Sequence, residues 1–249
     1  MADETKLNKT VIHVFDILDA INAADTSIGV SDLTHLTKLP KTTVFRLLTT
    51  LEAVNAVDKN ANQQYKIGPR LIPYAKSVEH QNLLVQTAIP FMKDFVKQTK
   101  EDINLGVLYK DQVLYLHSEQ GDKFRLQVNL FPVAPLYCSS LGKIFLSEFS
   151  PTDLDTYLAQ EELDERTINT IVDPDKLKVE IAAAKKDQLA YDNEEYEYGL
   201  TCMAVPLYQD GKVVAAASVS GPTSRLRVRG WDNVKESIIG FGQTLDKLL

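Results

Sequence analysis

The chain has 249 residues, 44% of them hydrophobic and 24% charged, with a formal net charge of −7. That is the composition of an ordinary globular protein and excludes fibrous, low-complexity and disordered classes. No apolar run approaches the roughly 20 residues needed to span a bilayer, and the leading MADETKLNK lacks a signal-peptide core. Cys138 and Cys202 are too few and too far apart for a disulfide framework or a zinc site, so a cytoplasmic location, no metal and no cofactor are expected. The acidity is unevenly shared: residues 1–76 hold nine basic groups against eight acidic ones, a balance of +1, which leaves −8 for the rest. Any contact with a polyanion therefore belongs to the N-terminal part.

Leu7, Val11, Val14, Phe15, Leu18 and Ile21 keep a 3.6-residue period, which predicts a first helix over 8–23 with these side chains inward. Asp25 to Gly29 break it, and Ser31 is expected to cap a short second helix with Leu33 and Leu36 inward. Leu39-Pro40 is the next break, and Pro40, with its fixed φ and no N–H to lose, suits the first turn of a third helix. On that helix Val44, Leu47, Leu48 and Leu51 fall at i, i+3, i+4 and i+7, a stripe to be buried. Opposite lie Thr42, Arg46 and Thr49, flanked by Thr43, Phe45 and Thr50. Such a face can donate to phosphates and to base edges, although taken alone it also fits an ordinary amphipathic surface helix. Asn55 can close the helix in the left-handed conformation, and residues 56–58 and 64–67 read as short extended pieces around a turn at 59–62. Three helices and a small hairpin over residues 1–69 make a winged helix-turn-helix, the third helix facing the major groove and the wing facing backbone or minor groove. The candidate DNA contacts are Ser31, Lys41, Thr42, Thr43, Phe45, Arg46 and Thr49, with Lys59, Gln63 and Lys66 on the wing. The small positive balance implies modest affinity per module, so a dimer or higher oligomer is expected.

Residues 70–89 have helical composition but carry Pro73, and read as a linker helix and a natural dimer contact. From about Pro90 the pattern becomes that of an α+β domain, residues 90–249. A helix with Phe91, Phe95 and Val96 inward leads into strands at 103–109, 113–117 and 124–129. Strands at 201–208 and 213–220 flank the Asp-Gly turn at Asp210-Gly211. Helices at 141–149, 152–160, 175–188 and 231–248 complete it, giving a mostly antiparallel sheet covered by helices.

Three places in this second module could carry chemistry. At Cys138 to Lys143 a polar loop opens a helix, where free N–H groups and the dipole favour an anion such as a carboxylate, unless Ser139 or Ser140 merely caps it. Tyr191 to Glu195 bunches three carboxylates, usable in acid/base or metal chemistry but more often solvated surface. Ser218 and Ser220 alternate with Val219 after a run of alanines, leaving room on the sheet for a small polar ligand. Enzyme signatures are missing: there is no Gly-x-Ser-x-Gly elbow, no Gly-rich phosphate loop and no His pair at metal spacing. The competing reading, a hydrolase or lyase using Glu194, Glu195 and Cys202, lacks a histidine near Cys202 in sequence.

At this point the chain resembles the IclR-type family of bacterial transcriptional regulators over nearly its whole length. Leu39 to Leu48 looks like the family's recognition helix and Tyr65-Lys66-Ile67-Gly68 like its wing ending. Ser140-Leu141-Gly142-Lys143, Tyr191 to Glu195 with Gly199, and Cys202 through Ser218-Val219-Ser220-Gly221-Pro222 are similar to its ligand-domain signature. The resemblance implies a GAF-like C-terminal domain that binds a small effector, often a carboxylic or aromatic acid. It also implies a dimer or dimer of dimers on a palindromic operator. By match to the motif, the effector residues are Ser140, Leu141 and Gly142 at the helix start, with Asp192, Cys202, Ser218 and Ser220 on the sheet. This moves Asp192 from surface to pocket. The sequence departs from the family at Asn55-Ala56, where a Gly and an aromatic are usual, and at Leu141, where a small residue is usual.

Overall fold

Asn8 opens the first helix by accepting from the Thr10 N–H at 3.0 Å, satisfying one of the donors a helix start leaves unpaired. In the computed structural model, which describes residues 7–24, 26–121 and 133–249, helix α1 runs Lys9–Asn22. Asp25 and the strand expected over 124–129 fall outside the described residues. Ile17, Leu18 and Ile21 of α1 are buried and Val14 packs against them, whereas Leu7, Val11 and Phe15 are exposed, Phe15 by 60%. The expected set thus divides: residues 14, 17, 18 and 21 form the stripe that meets the core, 11 and 15 lie on the neighbouring one, and Leu7 precedes the helix.

Helix α2, Val30–Thr37, is preceded by Gly29 as its N-cap, so Ser31 lies inside the first turn and caps nothing. A backbone bridge between Ile28 and Tyr65 holds the chain extended up to Gly29, and the helix starts at Val30, two residues earlier than a Ser31 cap would place it. Leu33 is buried as expected, but Leu36 is 58% exposed. Lys38 takes a left-handed φ of 56° to turn the chain, and Pro40 stands at the N-cap of α3, Lys41–Ala53. All four stripe residues, Val44, Leu47, Leu48 and Leu51, are buried against α1, α2 and the wing. Asn55 closes α3 at φ 60°. Strands β1, Val57–Lys59, and β2, Tyr65–Ile67, pair antiparallel, and the Asn60 carboxamide accepts from the Asn62 and Gln64 N–H groups at 2.9 and 3.0 Å to shape the tip. A Cβ at Gly68 would stand 2.4 Å from the Asn55 carbonyl, so the end of the wing needs glycine to reach the end of α3.

The chain divides into two compact units, residues 1–78 and 79–249. After a short turn at Pro69–Leu71 come α4, Ile72–Gln81, and α5, Leu83–Thr99, which starts on an Asn82 cap. Pro90 does not begin a helix. It lies on the exposed side of α5, where the carbonyl it leaves without a donor can be hydrated, while Val85, Ala88, Met92 and Phe95 hold the buried side.

Among the described residues the second unit is built on an antiparallel sheet of six strands, in the order β5-β4-β3-β8-β7-β6. Its strands are β3 Asp102–Tyr109, β4 Gln112–Glu119, β5 Val133–Pro135, β6 Ala190–Asn193, β7 Leu200–Gln209 and β8 Lys212–Pro222. Side chains alternate between its faces. Ile103, Leu105, Met203, Val205, Ala217 and Val219 point to one face, packed with α5 and α10, Trp231–Leu245. Cys202, Ala204 and Ala216 point to the other, covered by α6, Ser140–Ser147, with α7, Pro151–Gln160, and α8, Pro174–Asp187. The short helix α9, Thr223–Arg229, and strands β5 and β6 have no counterpart among the elements read from sequence.

Candidate functional site

In the N-terminal unit the outward face of α3 carries Lys41, Thr42, Phe45, Arg46 and Thr49, all exposed, with Thr43 half-buried at its edge. Phe45 is 55% exposed. Its hydroxyls differ from the donating face expected. The Thr49 and Thr50 Oγ1 groups donate back to the Phe45 and Arg46 carbonyls at 2.9 and 3.1 Å, which leaves them as acceptors. Donation outward therefore rests on Arg46 and Lys41, with Thr42 and Thr43 beside them. Ser31 is exposed on the first turn of α2. On the wing, Lys59 lies over the Tyr65 ring at 5.6 Å, Gln63 holds φ 61° near the tip, and Lys66 is 4.0 Å from Asp58. Such an exposed pair contributes little to stability and leaves the Lys66 ammonium available to an anion.

In the second unit the register brings the expected ligand residues into one place. Asp192 of β6 is opposite Cys202 of β7, Cys202 opposite Ser220 of β8, and Ser220 opposite Asp102 of β3. One step along, Ala190, Ala204, Ser218, Asn104 and Ser118 form a second row on the same face. Asn104 ties the rows together, donating to Ser220 Oγ at 3.0 Å and accepting from Ser118 Oγ at 2.5 Å. Helix α6 lies across β6, β7 and β8 on this face. Its N-cap is Ser139, whose hydroxyl accepts from the Gly142 N–H at 3.1 Å and donates to the Pro135 carbonyl at 2.6 Å. Capping therefore accounts for part of the polar loop, while helix geometry leaves the N–H groups of Ser140 and Leu141 without an intrahelical acceptor. A Cβ at Gly142 would stand 2.3 Å from the Leu136 backbone, so glycine is what lets the helix start come down onto the chain beneath it. Leu141 reaches the sheet beside Gly106, where its Cδ1 would be 3.2 Å from an added Cβ.

The electrostatics of this seam follow from enclosure. Asp192 is 1% exposed, and burial pushes its carboxyl up from 3.8 to about 7, against the opposing pull of hydrogen bonds from the Glu195 and Tyr196 N–H groups. Those bonds, at 2.8 and 3.2 Å to Oδ1, fold the turn after β6 around the carboxylate. Burial, reinforced by Asp192, holds the Cys202 thiol well above its ordinary value, and burial takes Cys138 to about 12. Both are thiols rather than thiolates near neutrality, so the nucleophile reading of Cys202 has no support. Burial likewise pushes Tyr115 upward, reinforced by the charges of Cys202, Tyr196 and Asp192.

The expectation that Tyr191 to Glu195 is a solvated run is corrected. Asp192 and Glu195 are buried, and Glu195 Oε1 takes a 2.5 Å bond from Lys143 Nζ, which also donates to the Tyr191 carbonyl at 2.9 Å. Lys143, fully buried on α6, thereby joins the helix start to the strand bearing Asp192. Sequence reasoning placed Lys143 in the polar loop without foreseeing its pairing with Glu195, and missed Asn104, Ser118 and Tyr115. Asn104 alone left a trace, a polar residue between Ile103 and Leu105 in an otherwise apolar strand. Among the described residues no group of three His, Cys, Asp or Glu side chains could hold a metal ion, and no helix is long and apolar enough to cross a membrane.

Residues 10–61 match the IclR helix-turn-helix domain, and residues 75–247 match the C-terminal domain of bacterial IclR transcriptional regulators. The chain is 31% identical to the HTH-type transcriptional regulator BhcR of Paracoccus denitrificans over 94% of this chain and 84% of that protein. It is also 31% identical to the HTH-type transcriptional repressor AllR of Escherichia coli, over 84% of this chain and 79% of that one. Among solved structures, an IclR homologue from Microbacterium hydrocarbonoxydans in complex with 4-hydroxybenzoate shares the fold, with a TM-score of 0.73, 23% identity and coverage of 95% of this chain and 98% of that one.

Proposed function

The chain belongs to the IclR family of bacterial DNA-binding transcriptional regulators, and from that premise we propose that its affinity for an operator is set by a small carboxylic acid held in the polar seam of the second unit. It is a regulator and not an enzyme. The observation that carries the ligand reading is the row Asp192, Cys202, Ser220 across three adjacent strands, with the start of α6 above it. The N–H groups of Ser140 and Leu141 supply donors and a positive dipole end for a carboxylate, and Ser218, Ser220 and a protonated Asp192 supply further donors. The acid found with the Microbacterium homologue is of this class. Because every one of these groups is buried, a ligand enters by displacing packed side chains, Leu141 among them, and its affinity is reduced by that cost.

On the DNA side, α3 enters the major groove with Arg46, Thr42, Thr43, Phe45 and Thr49, supported by Lys41 and by Ser31 of α2, while Lys59, Gln63 and Lys66 of the wing meet the backbone. The partner is double-stranded, palindromic operator DNA in the cytoplasm. Exposed Val11 and Phe15 on α1 and Leu7 just before it, with Ile72, Tyr74 and Val78 on α4, supply apolar surface for a second copy, giving a dimer or dimer of dimers. Ligand binding alters the spacing of the paired recognition helices. A coupling of about 1–3 kcal/mol, typical of such switches, changes operator affinity roughly 5- to 150-fold. The test of the ligand site is a thermal-shift screen of small carboxylates on the full-length protein and on Ser220→Ala. A hit that raises the wild-type Tm and loses most of its effect in the variant supports the site, and equal shifts in both proteins would remove it.

A further inference from the structure

A wide crevice of the second unit lies away from the seam. It lies beyond the outer edge of β6, encloses about 700 Å³, and has Glu180, Glu194 and Glu195 on its wall with Asn193, Arg227 and Trp231. Three carboxylates face one guanidinium there. Lys143 adds a second cation behind the wall, bonded to Glu195 Oε1 and 3.7 Å from Glu180, so the balance of charge is still negative by one. Glu195 is 97% buried in the sense that only 3% of it is exposed, and its second oxygen, Oε2, has no hydrogen-bond partner. A buried carboxylate oxygen without a donor is costly, and a native protein that keeps one has a use for it. The indole of Trp231 stacks on Tyr191 at 6.5 Å with the rings 10° from parallel, which fixes an aromatic wall on the crevice.

We propose that this crevice is a second small-molecule site, distinct from the seam, and that it takes a compound bearing a primary ammonium group. The ammonium supplies the missing positive charge and an N–H for the carboxylates. The indole accepts the ammonium or the carbon chain beside it. The site is also wired to the seam. The Glu195 and Tyr196 N–H groups bind Asp192 Oδ1, so movement of Glu195 toward a ligand is transmitted to the residue at the centre of the first site. By reciprocity, an amine in the crevice and an acid in the seam alter each other's affinity by the same factor. The amine site itself stands without the acid reading, which this coupling alone requires.

The probe is 1,4-diaminobutane, titrated calorimetrically against the full-length protein, with the neutral polyol erythritol as a parallel arm. The variant is the double substitution Glu180→Gln and Glu194→Gln. It spares the Lys143–Glu195 pair, and the glutamine oxygen at 194 can still accept from the Gly199 N–H that Glu194 binds at 2.9 Å. Saturable diamine binding that weakens about tenfold or more in the variant, the equivalent of 1.4 kcal/mol, is the expected result. No diamine binding, diamine binding unchanged by the double substitution, or preference for erythritol would each overturn the proposal. Because the variant leaves the seam residues intact, loss of diamine binding with unchanged response to carboxylates separates this site from the first.

Discussion

Asp192→Asn isolates the group on which the electrostatics of the seam turn. Asparagine keeps the oxygen that accepts from the Glu195 and Tyr196 N–H groups and removes only the ability to ionise. In the folded protein the Asp192 carboxyl is raised to about 7 from 3.8. Three units at about 1.36 kcal/mol each amount to roughly 4 kcal/mol of differential protonation. The sign follows from proton counting. Between pH 4 and 7 the folded state holds a proton that the unfolded chain has released, so the stability carried by Asp192 is full below about pH 4 and is lost as pH rises through 7. Urea unfolding at several pH values from 5 to 8 reads this directly. Glu195, also raised by burial, contributes the same slope to both proteins, so the wild-type curve should descend more steeply than that of the variant. A carboxylate ligand should likewise bind wild type about tenfold more weakly for each unit above pH 7, as Asp192 becomes charged, while its binding to the variant stays level. Parallel stability curves for the two proteins across this range would refute the buried, protonated carboxyl.

Arg46→Ala should weaken specific DNA binding by about 1–3 kcal/mol if the guanidinium reads a guanine, or lower the salt slope by about one unit if it meets phosphate, as measured by fluorescence anisotropy over a range of salt. Unchanged binding takes Arg46 out of the interface. Gly142→Ala places a methyl 2.3 Å from the Leu136 backbone and should lower the urea midpoint clearly, since backbone cannot yield as a side-chain tip does; a wild-type midpoint would contradict the close approach. Leu141→Ala should cost about 2–5 kcal/mol as a buried leucine, while letting the seam accept bulkier acids than wild type. Ligand screening on both proteins checks it, and an unchanged size limit argues that Leu141 does not bound the site. Lys143→Met should destabilise by about 3–5 kcal/mol, because it strands the buried Glu195 carboxylate. The double variant Lys143→Met with Glu195→Gln should recover part of the loss in thermal melts, and no recovery would deny the pairing.

What was legible in the sequence is what repeats at a fixed period or is marked by a backbone requirement. The stripe Val44, Leu47, Leu48 and Leu51, the closing Asn55 and the break at Leu39-Pro40 place α3 and the wing with little error. Period alone did not decide which of two adjacent stripes on α1 faces inward, because Val11 and Phe15 are as apolar as Ile17 and Ile21. Ser31 was misplaced because the bridge from Ile28 to Tyr65 joins residues far apart in sequence. The seam was legible only in part. Ser218 and Ser220 stand out by alternation, but Asp192 sits in a strand of four residues with charged neighbours, too short and too polar to betray a buried face. Lys143 carried no role of its own in the polar loop, because its partner Glu195 is fifty-two residues away in sequence and comes within 2.5 Å only in the fold. Pairings of that kind are set by tertiary structure and leave no local signal.

The account's central claim is that one ligand site in the second unit governs the DNA affinity of the first. It is tested most directly by measuring the affinity of the full-length protein for duplexes selected by that protein, with and without a carboxylate that stabilises it, in wild type and in Ser220→Ala. The account predicts a change of roughly 5- to 150-fold in wild type and little change in the variant at the same ligand concentration. A carboxylate that binds and stabilises the wild-type protein yet leaves its DNA affinity unaltered would contradict it.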